Sequence, residues 1–434
     1  MKLNPARRIG GQLSLPGDKS ISHRAALIAA LATGVSHLAN FSTSRDCAST
    51  LNCLQQLGVV ITPDDNGWTV AGRRELVASS APLDCGNSGS TIRMLAGVLA
   101  SHDFASTLTG DESLRSRPMQ RIIEPLEQMG ARFDSSSGKP PFTVRGSRNL
   151  KPIRYQLPVA SAQVKSCILF AGLGTEGRTE VLETASSRDH TERLFNAFGV
   201  SINTEVQESG KRVVSLEGPA RFNAGKISIP GDISSAAYFI AAAVLLPESH
   251  LVINGLGLNP TRAEFLSVLR SWGANITTSD IRMECNEPIG SVVVKSGLDS
   301  SSRTDNDRRL AESLIPLLID ELPLLAILGT QIPGGLEIRN ARELRVKETD
   351  RLAATVQNLR AMGADVEEYD DGLAVSGPTN LRGALLDSYD DHRIAMAFAV
   401  AALIAEGPSE ITRASCVEIS FPEFFQLLET VVER

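Results

Sequence analysis

The 434-residue sequence lacks several features that would assign it quickly. Its longest tempting apolar stretch, Ile233 to Pro247, is 15 residues between Asp232 and Glu248. A bilayer-spanning helix needs roughly 20, so no membrane association is expected. Arg7 and Arg8 lie near the start without an apolar segment behind them, so no secretory signal is expected. The six cysteines, at 47, 53, 85, 167, 285 and 416, form no CxxC pair, and no histidines cluster with them. A zinc site or disulfide framework is therefore not expected; free thiols in a reducing cytoplasm are. Positive charge is not in excess. With 43 Lys+Arg against 50 Asp+Glu the net charge is −7, which argues against nucleic acid as the partner. Small anionic substrates stay open, because a local cationic cleft can focus potential within an acidic protein. No turn ends G-K-[ST], and Gly255 and Gly257 are followed by Pro260 rather than a complete GxGxxG.

What is present is ordinary globular composition, 42% apolar and 21% charged, in a chain long enough for two or three domains. One pattern recurs: an amphipathic run, a glycine, then a β-branched run. It is found at Leu51–Ile61, Ile122–Phe133, Arg193–Ile202, Phe265–Ile276 and Thr355–Val366, around Gly58, Gly130, Gly199, Gly273 and Gly363. A helix ending on a left-handed glycine and feeding a strand explains each copy. The C-terminal FPEFFQLLETVVER reads as a sixth helix without its strand. A second repeat pairs LSLPGDKSIS (Leu13–Ser22) with ISIPGDISSA (Ile227–Ala236), each a strand, a Pro-Gly-Asp turn and a Ser-rich helix start. The expected architecture is α/β, with two similar halves of three α/β units each. The halves are residues 18–230, and 1–17 plus 231–434, with a cleft between them. A simple split near residue 230 is the competing division.

Several helix starts are rich in small polar and cationic residues. PGDKSISHR places Lys19, Ser20 and Arg24 at one; CGNSGSTIRM, VASAQVKS and GDISSA form others. Exposed N–H groups and the helix dipole favour phosphate and carboxylate there, although each taken alone is more often just an N-cap. Arg117 precedes Pro118 in SLRSRPM. RVKETDR (Arg345–Arg351) is expected to open a helix with Lys347 and Arg351 one turn apart and Glu348 between them. Two cations at a helix start oppose the dipole, so a bound anion is expected; solvated salt bridges are the alternative. SYDDHRIAMAF places Arg393 at an apolar helix start, and His392 alone reads as structural. Asp320 and Glu321 interrupt the apolar LLIDELPLLAILG. They are either loop caps or a carboxylate base aimed into a cleft.

PGDKSISHR, GNSGSTIR, SRP, SAQVK, PGDISSA, IDELP, RVKETDR and DDHR occur in that order along nearly the whole chain. Together they resemble the 5-enolpyruvylshikimate-3-phosphate synthase family. The resemblance implies two domains, each of three βαβαββ units around a pseudo-threefold axis, as in the inverse α/β barrel of enolpyruvyl transferases. It implies transfer of the enolpyruvyl group of phosphoenolpyruvate to the 5-hydroxyl of shikimate 3-phosphate, with release of phosphate, on the route to chorismate and aromatic amino acids. It further implies a monomer that uses no metal or organic cofactor. By position, Lys19, Ser20, Arg24, Ser161, Ala162, Gln163, Arg188, Asp320 and Lys347 would hold shikimate 3-phosphate. Lys19, Gly89, Arg117, Gln163, Arg351 and Arg393 would hold phosphoenolpyruvate. Asp320, Glu348 and Lys19 would move protons.

GDKS, SAQVK, RDHTE and NPTR resemble the family's second class, which includes glyphosate-tolerant members. Gly89 remains glycine where strongly tolerant members have alanine, and Ile419 stands where some members carry a lysine before the last Phe-Pro. The sister transferase acting on UDP-N-acetylglucosamine carries a reactive cysteine before its Arg-Pro, whereas GDESLRSRP has none. A non-catalytic α/β repeat scaffold would not gather lysine, arginine and carboxylates at helix starts. An RNA-end cyclase would carry a basic surface.

Overall fold

The computed structural model describes residues 1–208, 210–298 and 308–434. The chain forms two compact units. The N-terminal unit comprises Gly17–Pro230 with Met283–Glu287; the C-terminal unit comprises Met1–Pro16, Gly231–Arg282 and Pro288–Arg434.

The N-terminal unit uses one pattern three times. Its first repeat runs through helix Lys19–Leu31, strand Thr33–Ala39, helix Arg45–Gln56 and the hairpin Val60–Asp64/Gly67–Arg73. The second has strand Leu83–Asp84, helix Gly89–Ala100, strand Ala105–Thr109, helix Gln120–Met129 and hairpin Arg132–Ser136/Lys139–Arg145. The third has strand Arg154–Gln156, helix Ala162–Gly172, strand Gly177–Glu183, helix His190–Ala197 and hairpin Ile202–Val206/Arg212–Gly218. Each sheet has four strands, with a parallel pair joined to an antiparallel hairpin. The first repeat borrows its parallel edge from Lys226–Ser228, which lies along His37–Ala39.

The C-terminal unit follows the same plan with a reciprocal loan. Arg8–Ser14 runs parallel to His250–Gly257 and completes the first sheet. Helix Ile233–Leu245 opens that repeat, Leu322–Gly329 the second and His392–Ile404 the third. In the third repeat Lys2–Leu3 pairs with Ser409–Thr412, in the place a hairpin strand takes elsewhere. The sixth helix, Phe424–Val431, does have a strand after it: Val432–Glu433 pairs with Arg8 and Ile9. Helix and strand follow without a glycine, which is why the recurring helix–glycine–strand pattern did not reveal it.

The opening helices are buried nearly all round and mostly apolar, as helices enclosed by their own domain are, with a few buried polar and charged side chains. Ile21–Ala30, Gly89 and Thr91–Ala100, and Val164–Gly172 are all buried. Gly97 lets two of these helices approach closely, since a Cβ there would lie 2.1 Å from the Cys167 carbonyl oxygen. In five of the six repeats the second helix ends near a positive-φ glycine, as at Gly58 (φ 88°) and Gly363 (φ 86°). Each unit encloses its own apolar core.

The Pro-Gly-Asp turns are where the chain changes unit. Asp18 N donates to Pro230 O at 2.7 Å on one side, and Asp232 N donates to Pro16 O at 3.1 Å on the other. Gly17 has no room for a side chain, because a Cβ would fall 1.8 Å from the Asn40 carbonyl oxygen. Each aspartate then caps the helix it introduces, Asp18 accepting from Ile21 N and Asp232 from Ser234 N.

Candidate active site

In the N-terminal unit the three opening helices begin beside one another, and their first turns are linked by polar side chains. Asp18, Ser88 and Ser161 are the N-caps. Lys19 Nζ is 2.8 Å from Asp46 Oδ2, and the Asp46 carbonyl accepts from Thr91 Oγ1 at 3.4 Å. Gln163 donates to Ser90 Oγ at 2.9 Å and accepts from Arg93. Arg93 also explains Gly89: a Cβ there would lie 2.9 Å from Arg93 Nη1 and 3.4 Å from Arg117 Nη1. Arg117 is buried, with Nη2 donating to Asn87 Oδ1 at 2.8 Å and to Ser113 Oγ at 3.1 Å.

Arg24 is buried one turn into its helix. It donates to Thr191 Oγ1 (2.7 Å), to Ser166 Oγ (2.8 Å) and to Ser20 O (2.8 Å). Burial pulls its pKa down to about 10 against the opposing fields of Glu192 and Asp18, and the Arg188 guanidinium adds to the lowering. Arg188 and Arg24 therefore feel each other's charge. Lys19, Ser20, Gly89, Ser161, Ala162, Gln163 and the cations Arg24, Arg117 and Arg188 all belong to this unit. Helix N-termini and cations gathered in this way create a setting that favours anions.

The C-terminal unit brings together Asp320, Glu348, Arg351 and Arg393. Arg351 is 1% exposed. Its Nε donates to Asp391 Oδ2 at 2.7 Å, its Nη2 to Glu348 Oε2 at 2.6 Å, and its Nη1 to Asp320 Oδ1 at 3.4 Å. Burial opposes its charge, but Asp391, Glu348 and Asp320 outweigh burial and raise its pKa. Asp320 Oδ2 also lies 3.7 Å from Arg393 Nη2 and 3.9 Å from Arg262 Nη1. Glu321, 3% exposed, accepts from Ser234 Oγ and from Arg262 Nη1, the latter at 3.3 Å. Arg393 N donates to Asp391 Oδ1 at 2.8 Å, which seats the N-cap of helix His392–Ile404. Tyr238 sits in the same cluster, its hydroxyl pushed up to about 12 mainly by burial.

One expectation needs correction here. Lys347 and Arg351 do not share a helix. The helix is Arg351–Ala361, capped by Asp350, and Lys347 follows a 3-10 turn, Arg342–Val346, in extended conformation. Lys347 Nζ is 3.4 Å from Glu343 Oε1. Asp350 is a strong N-cap, and it fixes the helix start four residues later than the charge pattern implied. Arg351 at the helix start faces three carboxylates of the chain, so salt bridges within the chain accompany any role it has toward an anion.

Several residues of these clusters were not singled out from the sequence. Asp232 and Arg262, from the first repeat of this unit, and Asp391, from the third, join the C-terminal cluster. Lys165, fully buried, lies 3.1 Å from Glu183 Oε2 and 2.6 Å from Glu192 Oε1. Except for Glu183, their letters stand in PGDISSA, NPTR, DDHR, SAQVK and RDHTE, but only the fold shows what each touches. Among the described residues, no group of three or more His, Cys, Asp and Glu is placed to hold a metal ion. All six cysteines are free, and no described helix is long and apolar enough to cross a membrane.

A family profile described as EPSP synthase (3-phosphoshikimate 1-carboxyvinyltransferase) matches residues 3–428. A 3-phosphoshikimate 1-carboxyvinyltransferase of Koribacter versatilis is 51% identical over 439 residues, covering 100% of this chain and 99% of its own. One of Salinibacter ruber is 48% identical over 440 residues, covering 99% and 98%. The solved EPSP synthase of Acinetobacter baumannii superposes with a TM-score of 0.85 at 37% identity, over 99% of this chain and 97% of that one. With two α/β units of repeated βαβαββ design and matches that span its whole length, the chain belongs to the EPSP synthase (3-phosphoshikimate 1-carboxyvinyltransferase) family.

Proposed function

We propose that this enzyme transfers the enolpyruvyl group of phosphoenolpyruvate to the 5-hydroxyl of shikimate 3-phosphate, giving 5-enolpyruvylshikimate 3-phosphate and phosphate. The observation that carries the reading is the contrast between the two clusters. In the N-terminal unit three helix starts are joined through Lys19, Ser90, Gln163 and Arg24 under a surplus of cations. In the C-terminal unit three guanidiniums, Arg262, Arg351 and Arg393, share Asp232, Asp320, Glu321, Glu348 and Asp391. Two multiply anionic substrates need the first kind of surface, and a proton transfer needs carboxylates of the second kind.

In this reading both units supply active-site residues. Lys19, Ser20, Arg24, Ser161, Ala162, Gln163 and Arg188 bind shikimate 3-phosphate, with Asp320 and Lys347 at its ring. Lys19, Gly89, Arg117, Gln163, Arg351 and Arg393 bind phosphoenolpyruvate. Asp320 takes the proton of the 5-hydroxyl as its oxygen attacks C2, and Glu348 delivers a proton to the methylene. The tetrahedral adduct then loses phosphate, and the same methyl group gives back a proton, with Lys19 close to the bridging oxygen. A monomer in a reducing cytoplasm completes the proposal, and the unlinked cysteines fit such a compartment.

The test is release of inorganic phosphate. Both substrates together should give turnover, and either alone should give none beyond background. Release from phosphoenolpyruvate alone, or turnover with UDP-N-acetylglucosamine in place of shikimate 3-phosphate, would overturn the assignment.

A further inference from the structure

Lys165 has no part in the reading above, yet it is one of the most deeply buried charges in the N-terminal unit. Its ammonium lies between two carboxylates, Glu183 at 3.1 Å and Glu192 at 2.6 Å, with Lys165 and Glu183 wholly inaccessible. Desolvating an ammonium and two carboxylates is expensive, and replacing such a cluster by apolar side chains commonly stabilises a fold. The cluster therefore calls for a reason other than stability, and its neighbours supply one.

Glu183 ends the strand Gly177–Glu183 and accepts a hydrogen bond from Ser187 Oγ, in the segment that leads to Arg188. Glu192 lies in the first turn of helix His190–Ala197, beside Thr191. Thr191 Oγ1 is hydrogen-bonded to Ser166 Oγ at 2.6 Å and accepts from Arg24 Nε at 2.7 Å. Ser166 donates to Ala162 O at 2.6 Å. Lys165 thus ties together three pieces that carry shikimate 3-phosphate candidates: the helix start at Ser161–Gln163, the segment of Arg188, and Arg24.

The electrostatics point the same way. Arg24 responds to the negative charge of Glu192 and to the positive charge of Arg188. Lys165 lies against Glu183 and Glu192, and Glu192 in turn acts on Arg24. Without the Lys165 ammonium, the buried Glu192 would be left without its close cation beside Arg24 and would offset the charge that is needed for phosphate. We infer that Lys165 is a positioning residue for the phosphate of shikimate 3-phosphate: it neutralises Glu192 and Glu183, so that Arg24 and Arg188 keep their positive field toward the ligand. The inference rests on the assignment of Arg24 and Arg188 to that phosphate.

The experiment compares wild type, Lys165→Met, Lys165→Arg and the double variant Lys165→Met/Glu192→Gln. KM for each substrate, kcat, and dissociation constants for shikimate 3-phosphate and for unphosphorylated shikimate are measured. Lys165→Met should raise KM and Kd for shikimate 3-phosphate on the order of tenfold or more, the range for breaking a buried charge pair. KM for phosphoenolpyruvate and the Kd for shikimate should change far less. The double variant removes one charge of each sign and should recover most of the lost affinity, and Lys165→Arg should retain it.

Equal weakening of shikimate and shikimate 3-phosphate would overturn the inference, because the effect would then not act through the phosphate. So would a double variant as weak as Lys165→Met. If Lys165→Met does not fold, the double variant and Lys165→Arg carry the test: loss of shikimate 3-phosphate affinity in both would refute the electrostatic role. Failure of wild type to bind shikimate 3-phosphate would instead refute the proposed function.

Discussion

Arg351 and Arg393 carry the same charge in the same unit, yet the structure gives them different work. Arg351 donates to Asp391 at 2.7 Å and to Glu348 at 2.6 Å, while Arg393 lies 3.7 Å from Asp320 and 3.8 Å from Glu321. Arg351→Met leaves Asp391, which is wholly buried, without its closest cation. Removing one partner of a buried pair costs about 3–5 kcal/mol, a large part of a total of roughly 5–15 kcal/mol. For a domain of some two hundred residues this is a fall in Tm of roughly 6–20 °C. Arg393→Met loses only longer contacts and should cost roughly 1–3 kcal/mol.

The expected order for ligand is the reverse. Arg393 has more of its guanidinium uncommitted to carboxylates of the chain, so its loss should weaken phosphoenolpyruvate more, relative to the stability lost. Thermal unfolding followed by circular dichroism gives the first quantity. Titration of phosphoenolpyruvate with shikimate 3-phosphate present, well below both transitions, gives the second. Arg351→Met/Asp391→Asn should regain part of the lost Tm by removing the orphaned charge. Equal Tm losses for the two single variants, or a double variant less stable than Arg351→Met, would refute the reasoning.

Three further outcomes are expected. Asp320→Asn should cut turnover by roughly 10²–10⁴ with phosphoenolpyruvate affinity nearly intact, while Glu348→Gln should also slow exchange of the methylene protons; wild-type deuterium uptake in Glu348→Gln would move the carbon acid–base role to Lys19. Gly89→Ala places a methyl 2.9 Å from Arg93 Nη1 and should weaken glyphosate more than phosphoenolpyruvate, so equal losses in inhibition and KM measurements would show that Gly89 does not discriminate. His23 is fully buried, and burial, reinforced by Lys19 and Arg24, holds its pKa well below 6.5. The unfolded chain therefore takes up a proton below about pH 6.5 that the native state refuses, and stability falls with acidification by up to about 1.4 kcal/mol per pH unit. His23→Asn should flatten that slope in denaturant titrations between neutral and mildly acidic pH, and an unchanged slope would contradict it.

The sequence was most informative where chemistry is local. Gly58, Gly130, Gly199, Gly273 and Gly363 all take positive φ after the expected helices, because only local sterics select glycine there. The capping roles of Asp18, Ser88 and Ser161 were likewise readable from neighbouring residues. Lys347 was misplaced because a charge pattern was weighed above Asp350, whose cap bond to Ala353 N is the stronger signal. The ion-pair partners were out of reach for a different reason. Arg351 and Asp391 are 40 residues apart, Arg262 and Glu321 are 59 apart, and Lys165 meets Glu183 and Glu192 from a separate helix. No periodicity links such residues; the repeat architecture brings them together.

The exchange of strands explains why the two Pro-Gly-Asp turns resemble each other. A βαβαββ repeat needs a parallel strand before its opening helix, and in both units the first repeat takes that strand from a segment far away in the sequence. Lys226–Ser228 serves helix Lys19–Leu31, and Arg8–Ser14 serves the sheet of helix Ile233–Leu245. At each crossing the strand stays in one unit while the helix that follows enters the other, so both turns face the same geometric demand and meet it with the same three residues. The loans are unequal in consequence. Arg8–Ser14 lies inside its sheet, between His250–Gly257 and Val432–Glu433, whereas Lys226–Ser228 lies at an edge. A chain severed near residue 230 would deprive the C-terminal unit of an interior strand and of Lys2–Leu3, exposing backbone groups on both flanks of the gap. The cluster around Arg351 and Asp320 is therefore supported by the first sixteen residues of the chain, although none of them contributes a side chain to it.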